Sequence, residues 1–551
     1  MAPVSLESEV RYTPLVFAAS HIAAAGYLTY TIALGLYRSQ TALGPAQDTR
    51  LRTAQRQKLT SAFGSLAALS LILAIGSGIS YLTLSYKVWA SERGVAVPNS
   101  LFGGWHAQEN ANTTTPVGIY PFSWLNDTPI YRDALEIIAE RSRRLWWAQQ
   151  LGLSAISWSM LLAIEGRRRK VPYLWAYSLL AQLVNLSFAQ NLFYVAMLLS
   201  PSTVPVPESR IAKFVDRAFP PKPANWVPKP LLFLGLLVLN YAAALYVPYT
   251  AGHRIFLKAT AIAKFLQFTP LIMTTVVPAS WGVVYPTPRN AYSAFTKLFQ
   301  VMSIAGALLH GKTTLVSLLY NLPEAYKHRH SIHIPFDTEK RTAWERSATA
   351  IEKVVGSIND HPVVAAAGKD VLLCGLSLGL WAAVRAMDVG DMLQSVIPSY
   401  TAISESSPVK EAAAAVSSVA TATIESPPAE EDGEAAKPDL SMSSLRRSGR
   451  SAKPRFSSVS SSTEEVQTPR RRGRLRKAAK AEPTPEPDPE EVLGDATYEP
   501  SPAVEASVIQ GDVVPDDDFD WESASLAWGL TALGGLGAGS AAVFGAECIS
   551  R

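Results

Sequence analysis

The sequence predicts an all-α integral membrane protein: a polytopic bundle of about eight or nine transmembrane helices, with a long disordered segment before the last span. Three observations predict this class. The 551 residues are 48% hydrophobic and only 17% charged, whereas soluble domains carry about 25% charged residues. The mean hydropathy is positive, at +0.11, even though a long polar segment lowers the average. Apolar runs of about 20 residues, the length that crosses a bilayer, recur along the chain.

Nine apolar runs are long enough to be predicted spans. Eight of them form a predicted membrane domain, 1–390, and the ninth lies in the C-terminal part, 524–551. Small and aromatic side chains are mixed through the runs, as expected of helices that pack on one another in a bilayer. The predicted spans are 14–37, 59–86, 145–164, 173–199, 231–251, 261–285, 295–320, 363–386 and 524–546.

Basic residues in short loops predict the orientation, because such loops remain in the cytosol. The first loop is rich in arginine, and residues 167–170 read Arg-Arg-Arg-Lys, so both are expected in the cytosol with loop 321–362. The N-terminus and the long loop 87–144 are then expected in the lumen, with the endoplasmic reticulum as the default membrane. Two Asn-X-Thr sequons in that loop, at Asn112 and Asn126, are predicted glycosylation sites.

The segment 399–523 is predicted to be disordered. It is rich in Ser, Pro, Ala and Glu and has no aliphatic periodicity, so it cannot bury enough apolar surface to fold. Its basic tract at 470–477, RRRGRLRK, contains the Arg-Gly-Arg core of minor-groove binders. Nine spans would place this tract in the lumen, away from DNA, so we expect no nucleic-acid partner.

Two further patterns bear on cofactors. Residues 306–313, GALLHGKT, match the phosphate-binding P-loop, but that loop works only between a strand and a helix N-terminus. Since the match lies within an apolar helical run, we interpret it as a chance occurrence. The two cysteines, Cys374 and Cys548, are too few for a disulfide framework or a cysteine-based zinc site. We therefore expect neither a metal nor another cofactor.

The stretch YRDALEIIAERSRRLWWAQQ, 131–150, is the first candidate for chemistry. Asp127-Thr128-Pro129 predicts a helix start, and the helix is expected to continue into Trp146 and Trp147. Asp133, Glu136 and Glu140 recur at helical spacing and share one face. One interpretation is an interfacial helix with acids in water and tryptophans at the membrane surface. The other is a cavity mouth, where a desolvated acid has a raised pKa and donates a proton.

The fourth predicted span, 173–199, carries amides within an otherwise apolar run. Polar side chains are costly in hydrocarbon, so they are expected to face the bundle interior. Together with the aromatic residues, they suit a pocket for a hydrophobic substrate that develops positive charge. Hydrogen bonding between helices explains the amides equally well. The candidate substrate-binding residues are Trp146, Trp147, Gln150, Asn185, Phe188, Gln190 and Asn191.

Three segments resemble a known family. WLNDTPIYRDALEIIAERSRRLWWAQQ, SWSMLLAIEGRRRKVPYLWAY and LVNLSFAQNLFYVAMLL are similar to the multi-span membrane terpene cyclases of fungal meroterpenoid pathways, of the ascochlorin/ascofuranone type. The resemblance covers roughly 10–390 and the final span, and it is densest over 120–200. The inserted segment before the last span departs from the family pattern.

The resemblance implies an enzyme that protonates the terminal epoxide of a prenylated aromatic and guides the carbocation to a ring, without a metal or redox cofactor. Glu136 or Glu140, with Asp133 as the alternative, would be the acid, and the aromatics would shelter the cation. The expected partners are the bilayer, a hydrophobic small-molecule substrate and pathway enzymes in the same membrane. The alternatives are a polytopic transporter or a non-catalytic membrane scaffold.

Overall fold

The computed structural model describes residues 12–42, 49–95, 120–199, 226–284, 288–328, 338–398 and 519–549, with residues 219 and 222. Asn112 and residues 399–518 lie outside these ranges, so the predictions made for them stay predictions. The described chain is mostly helical, as the sequence predicts. It belongs to one compact unit formed by residues 1–407 and 500–551.

Fifteen helices follow one another in the described ranges. They are α1 (Tyr12–Ala42), α2 (Thr49–Arg93), α3 (Pro121–Asp127), α4 (Ile130–Glu140), α5 (Ser142–Leu161), α6 (Leu174–Leu183), α7 (Leu186–Leu198), α8 (Pro230–Tyr246), α9 (Phe256–Leu266), α10 (Thr269–Val276), α11 (Pro288–Asn321), α12 (Ala343–Val355), α13 (Pro362–Val384), α14 (Val389–Gln394) and α15 (Trp521–Ile549). A π turn, Leu162–Gly166, extends α5, and 3-10 turns cover Val247–Thr250, Ala279–Trp281 and Gly356–Asn359.

Two short antiparallel sheets connect helix ends. Strand β1 (Trp226–Pro228) pairs with β2 (Gly282–Val284), with Val227 opposite Val283. Strand β3 (Tyr326–His328) pairs with β4 (Thr338–Lys340). Each sheet has only two strands, so the helices and not the sheets carry the architecture.

Among the described residues, six helices are long and apolar enough to cross a membrane, or seven if a bent pair counts as one span. The bent pair is α9 with α10, which meet at 52°. The membrane class is thus supported, but the predicted total of eight or nine spans is not confirmed. The six helices contain Tyr12–Thr41, Gln55–Arg93, Pro230–Thr250, Phe295–Asn321, Pro362–Val384 and Trp521–Cys548.

The predicted span 173–199 is wrong as a single crossing, because the chain folds back on itself at its middle. Val184 and Asn185 leave the helical conformation and separate α6 from α7. The rings of Tyr177 and Phe193 lie 5.6 Å apart, whereas 16 positions along one helix span about 24 Å. Tyr173 and Leu199 also line the same small cavity. Residues 174–198 therefore form a helical hairpin, named the first hairpin below.

The C-terminal helix α15 also folds back, at Gly535, whose φ of 76° and ψ of 168° interrupt the helix. The backbone N–H of Asp520 donates to the carbonyl of Ala383 at 3.2 Å. At the other end, Glu547 pairs with Arg385 at 2.9 Å. A straight helix of 29 residues would separate these ends by about 40 Å. The predicted final span, 524–546, is thus a second hairpin, 521–549, and not a straight crossing.

The bundle has two ends, which α2 and α13 connect. Tyr81 and His361 lie 5.8 Å apart beside α4, at what we name the acidic end. Phe63 and Trp381 lie 5.7 Å apart near Arg385, at the arginine end. The twenty positions from His361 to Trp381 correspond to about 30 Å of helix, the thickness of a hydrocarbon core.

Both hairpins enter the bundle from the arginine end. The first begins just after residues 167–170, and its Tyr194 stacks on Trp381 with ring centroids 4.4 Å apart. The second has both termini beside residues 383–385. Asp520 and Gln394, which flank the segment 399–518, both lie at this end, since Gln394 accepts a bond from Gln300 of α11 at 2.7 Å.

The hydrophobic core fills the space between the long helices and the hairpins. Its largest fully buried side chains include Trp158, Trp381, Tyr194 and Phe193. Residues 306–313 lie in the middle of α11, which is continuous from 288 to 321. The P-loop pattern is therefore a stretch of helix, as the sequence analysis predicts, and it offers no phosphate-binding loop.

Candidate functional site

The acidic helix α4 is separate from the tryptophan-bearing helix α5. Arg141 adopts an extended conformation, with φ −123° and ψ 132°, and divides the two helices. The prediction of one continuous helix into Trp146 and Trp147 is therefore wrong. The predicted helix start is also displaced, since Pro129 is the N-cap residue. Asp127 instead accepts from Arg93 at 2.8 Å and from the Trp89 indole at 3.0 Å.

The three predicted carboxylates of α4 differ in their partners. Glu136 pairs with Arg132 at 2.7 Å. Glu140 pairs with Arg144 at 3.3 Å, and its side chain is 62% exposed. Burial raises the pKa of Asp133, and the charge of Glu136 raises it further while Arg132 opposes the shift. A raised pKa keeps a carboxyl protonated to a higher pH, which favours Asp133 as a proton donor.

The acidic helix is connected to the tip of the first hairpin through α1. The ring of Tyr131 stacks on His21 with centroids 5.5 Å apart, and Phe17 packs edge-on against Tyr131 at 4.9 Å. Nε2 of His21 lies 2.8 Å from the carbonyl oxygen of Leu183, the last residue of α6. The acids and the amides that the sequence singles out therefore belong to neighbouring parts of the bundle.

The tip of the first hairpin is held by polar groups of two other helices, α13 and α2. Asp370 of α13 accepts from the backbone N–H groups of Leu186 at 3.0 Å and Ser187 at 2.8 Å. Asn185 caps α7 by accepting from the Phe188 N–H at 3.1 Å, and it donates to the carbonyl of Ser70 at 3.2 Å. These bonds satisfy backbone donors that a helix start leaves free, which matters in a bilayer without water.

Asp370 follows Lys369 directly in the sequence, but the two side chains have different partners. Lys369 donates to the hydroxyl of Ser77 at 3.3 Å. The Asp370 carboxylate faces the N-terminus of α7, where the helix dipole favours negative charge. Its neighbour on α13 is the thiol of Cys374, at 3.8 Å.

The other predicted residues of the first hairpin are buried along α7. Gln190 donates to the hydroxyl of Tyr194 at 2.6 Å, and Asn191 donates to the carbonyl of Ser187 at 2.8 Å. Phe188 belongs to the hydrophobic core. Gln190 and Asn191 are fully buried, and the carbonyl oxygen of each has no hydrogen-bond partner among the described residues. The expectation that the amides face the bundle interior holds for both.

Trp146, Trp147 and Gln150 lie around the second hairpin instead. The Trp146 indole donates to Thr314 of α11 at 2.9 Å and packs against Trp147, with ring centroids 4.7 Å apart. Gln150 accepts from the backbone N–H of Leu536 at 3.3 Å, directly after the bend at Gly535. The predicted substrate-binding residues are therefore divided between the tips of the two hairpins.

The acidic helix and the first tip are separated along the bundle. Tyr81 donates to the carbonyl of Ile130 in α4 at 2.7 Å, and Ser70 accepts from Asn185. Eleven positions of α2 separate Ser70 from Tyr81, which corresponds to about 16 Å. The contact of α2 with the first hairpin tip and its contact with α4 therefore lie at different heights along the bundle.

A buried ionic network at the arginine end was missed in the sequence analysis. Glu547 pairs with Arg385 at 2.9 Å and with Arg169 at 3.1 Å, and Glu165 pairs with Arg169 at 3.2 Å. Both glutamates are fully buried. The available signal was the position of Glu165 and Glu547 within apolar runs, because an acid at membrane depth requires a partner.

The space enclosed beside the first hairpin is small. A cavity of about 10 Å³ between α1 and the first hairpin, beside Gly35 and Tyr177, has room for about one water molecule. Within the described ranges no three His, Cys, Asp or Glu side chains come close enough together to hold a metal ion. Asn126 lies in α3 and is half-buried.

Comparison of the chain with models of known families, with characterised proteins and with solved structures finds no match.

Proposed function

We propose that this protein is a membrane-bound terpene cyclase that isomerises an epoxidised prenyl chain carried on an aromatic ring. The observation that carries the proposal is the junction of α4 with the first hairpin. There Asp133, an acid with a raised pKa, lies on the same short helix as Tyr131, and His21 links Tyr131 to the hairpin tip. The likeness of residues 120–200 to fungal meroterpenoid cyclases supports the same reaction.

Asp133 begins the proposed reaction by donating its proton to the epoxide oxygen. The carbon–oxygen bond opens, the neighbouring alkene attacks the cationic carbon, and loss of one proton completes the ring. The reaction is an isomerisation that requires no oxidant. Glu136 and Glu140 are each held in an ion pair with an arginine, so the proposal assigns the proton to Asp133.

The amides at the hairpin tip take the aromatic head of the substrate in this proposal. The distance of about 16 Å between Ser70 and Tyr81 along α2 is comparable to an extended chain of three prenyl units. A substrate lying along α2 would thus place its head near Asn185 and its epoxide near Asp133. Aromatic faces such as that of Tyr131 would stabilise the cation.

The orientation and membrane are part of the proposal. Seven crossings, formed by α1, α2, α5, α8, the bent pair, α11 and α13, would carry the chain across the bilayer, with two hairpins entering from the cytosolic side. The basic residues 167–170 support a cytosolic arginine end. The N-terminus and the acidic end would then be lumenal in the endoplasmic reticulum, with pathway enzymes in the same membrane. Loop 321–362 begins and ends at the acidic end, where Arg143 contacts Asn321 and Asp360, so this orientation would put it in the lumen and not in the cytosol as the sequence analysis expects. Both ends of the segment 399–518 would likewise be cytosolic and not lumenal.

Turnover in microsomes tests the activity directly. Wild type, Asp133→Asn and Glu140→Gln are supplied with an epoxidised farnesyl-phenol, and cyclised product is measured at equal protein levels. Product from wild type and Glu140→Gln but not from Asp133→Asn supports the proposal. Product from all three proteins would support the cyclase activity but exclude Asp133 as the acid. No product from any of them would contradict the proposed cyclase activity.

A transporter is the second candidate, and the two hairpins favour it. Transporter sites near the bilayer midplane are typically formed by discontinuous helices, and both hairpin tips lie midway along their neighbouring helices. Turnover by detergent-solubilised protein distinguishes the two functions, because chemistry needs no second compartment and transport does. A scaffold acting through its charged tail is distinguished by deletion of 400–520, which a cyclase should survive.

A further inference from the structure

The first hairpin meets the bent pair at a polar contact inside the bundle. Gln182, one turn before the tip, donates from Nε2 to Oε1 of Gln267 at 2.6 Å. Gln267 lies at the bend between α9 and α10. The first hairpin and the bent pair thus contact each other where each helix is interrupted. At such interruptions backbone N–H and C=O groups lose their partners within the helix.

Asn240 of α8 completes this junction. Its Nδ2 donates to the carbonyls of Leu236 at 2.9 Å and Leu266 at 3.2 Å, the latter at the bend. The side chain is almost fully buried, with the residue 3% exposed. Within the part of the chain that the structure describes, its Oδ1 has no hydrogen-bond partner, and neither does Oε1 of Gln182. Buried polar atoms are nearly always bonded, so two orphaned acceptors at one junction indicate a missing donor.

The missing donor should be a neutral group. Both orphaned atoms are amide oxygens, which accept from a hydroxyl or an ammonium group. An ammonium group must also be desolvated to reach the bundle interior from the bilayer, which costs far more than the desolvation of a hydroxyl group. A hydroxyl group is therefore favoured over an ammonium group.

The position of the junction indicates how this hydroxyl arrives. On α9, the side chains of Ile262 and Phe265 are 60% and 61% exposed on the outer surface of the bundle. Gln182 itself is half-buried, between that surface and the hairpin tip. A molecule with an apolar body can approach from the bilayer and place one polar group at the junction.

We propose that Gln182, Asn240 and Gln267 form a binding site for the hydroxyl group of a lipophilic molecule that enters from the membrane. The site itself does not require catalysis. Its use for the aromatic head of a prenylated substrate rests on the cyclase proposed above.

Binding of an unreactive probe tests the site without turnover. Purified protein in lipid nanodiscs is titrated with para-dodecylphenol and with its methyl ether, which has the same apolar body but no donor. The phenol is expected to bind wild type about fivefold or more tightly than the ether, because it satisfies an acceptor that otherwise stays unpaired. Asn240→Leu and Gln182→Met should reduce this ratio to about one. Gln300→Leu, which changes an amide at the arginine end, should leave the ratio intact.

The two proposals fail in different ways. Equal binding of phenol and ether by wild type overturns the site, and so does a ratio that survives in both variants. If Asn240→Leu does not fold, Gln182→Met decides the question. A discriminating site in a protein without cyclase turnover would keep this inference and contradict only the proposed reaction. Cyclase turnover without a preference for the phenol over the ether would keep the proposed reaction and contradict the binding site.

Discussion

Thr531 and Gly539 lie against each other in α15, although eight positions of a straight helix would separate them by about 12 Å. A Cβ atom on Gly539 would clash with the Thr531 hydroxyl. This contact exists because the chain reverses at Gly535. The C-terminal segment is therefore a hairpin within the bundle core, packed against α5, α11 and α13.

The reversal predicts a specific sensitivity at Gly535. Gly535→Ala should destabilise the protein by about 1–3 kcal/mol, because this region of φ and ψ is essentially restricted to glycine. A Cβ atom there would also lie 2.6 Å from the His310 ring. Gly529→Ala is the matched control, since open space surrounds that helical glycine. Thermal unfolding in detergent micelles compares them, and equal melting temperatures would exclude the bend.

The two hairpins predict which residues share a side of the membrane. Single cysteines at Lys170, Glu522 and Glu140, all exposed, are labelled with an impermeant maleimide in sealed microsomes. Lys170→Cys and Glu522→Cys should react from the same side, and Glu140→Cys only from the other. The two native cysteines are buried and provide the unlabelled background. If the runs 173–199 and 524–546 each crossed the bilayer as a straight helix, residues 170 and 522 would lie on opposite sides. Labelling of these two residues from opposite sides would therefore contradict the hairpins.

The membrane class follows from the sequence because apolar length alone predicts it. The hairpins do not, because hydropathy over 173–199 is the same whether the run crosses the bilayer or turns back. Asn185 is a strong helix N-cap residue and was a local signal for the break. The cap alone does not fix the break. Asp370, 185 positions later in the chain, stabilises it by accepting hydrogen bonds from the first two backbone N–H groups of α7. That contact is tertiary and cannot be derived from local pattern.

Only part of the candidate site could be predicted from the sequence, again because its tertiary contacts cannot be derived from local pattern. The acids of α4 and the amides of α7 could be named from residue type and spacing. Their relative placement depends on His21 of α1, which carries no recognisable motif. The assignment of partners within α4 also required the structure, since Asp133, Glu136 and Glu140 share one helical spacing but different arginine contacts.

The environment of Asp133 predicts a pH dependence of turnover. Activity should fall as the pH rises through the raised pKa of Asp133, because the protonated form is the donor. Glu136→Gln removes a like charge that raises this pKa, so the decline should move to lower pH. Arg132→Gln removes the charge that lowers it and should move the decline to higher pH. A pH–rate profile unchanged in both variants would assign the acid to another residue.

The same shift has a consequence for stability. The folded state favours the neutral carboxyl of Asp133, so its stabilising contribution is present below the ordinary aspartate pKa and is lost as the pH rises through the raised value. Asp133→Asn stays neutral throughout and should abolish this part of the pH dependence. Unfolding midpoints measured across that interval check the sign. A variant whose stability follows the same pH curve as wild type would show that burial of Asp133 has no energetic effect.

The buried pair of Glu547 and Arg385 predicts the largest loss of stability. Both side chains are 1% exposed, and removing one partner of a buried pair costs about 3–5 kcal/mol, because the other charge stays buried. Glu547→Gln should therefore release the second hairpin in chemical unfolding experiments in mixed micelles. The exposed pair of Glu140 with Arg144 is the control, since Glu140→Gln should cost no more than about 1 kcal/mol. In a double-mutant cycle, Arg385→Met should cost less in the Glu547→Gln background than in wild type. Additive costs would mean that the two residues do not hold the hairpin as a pair.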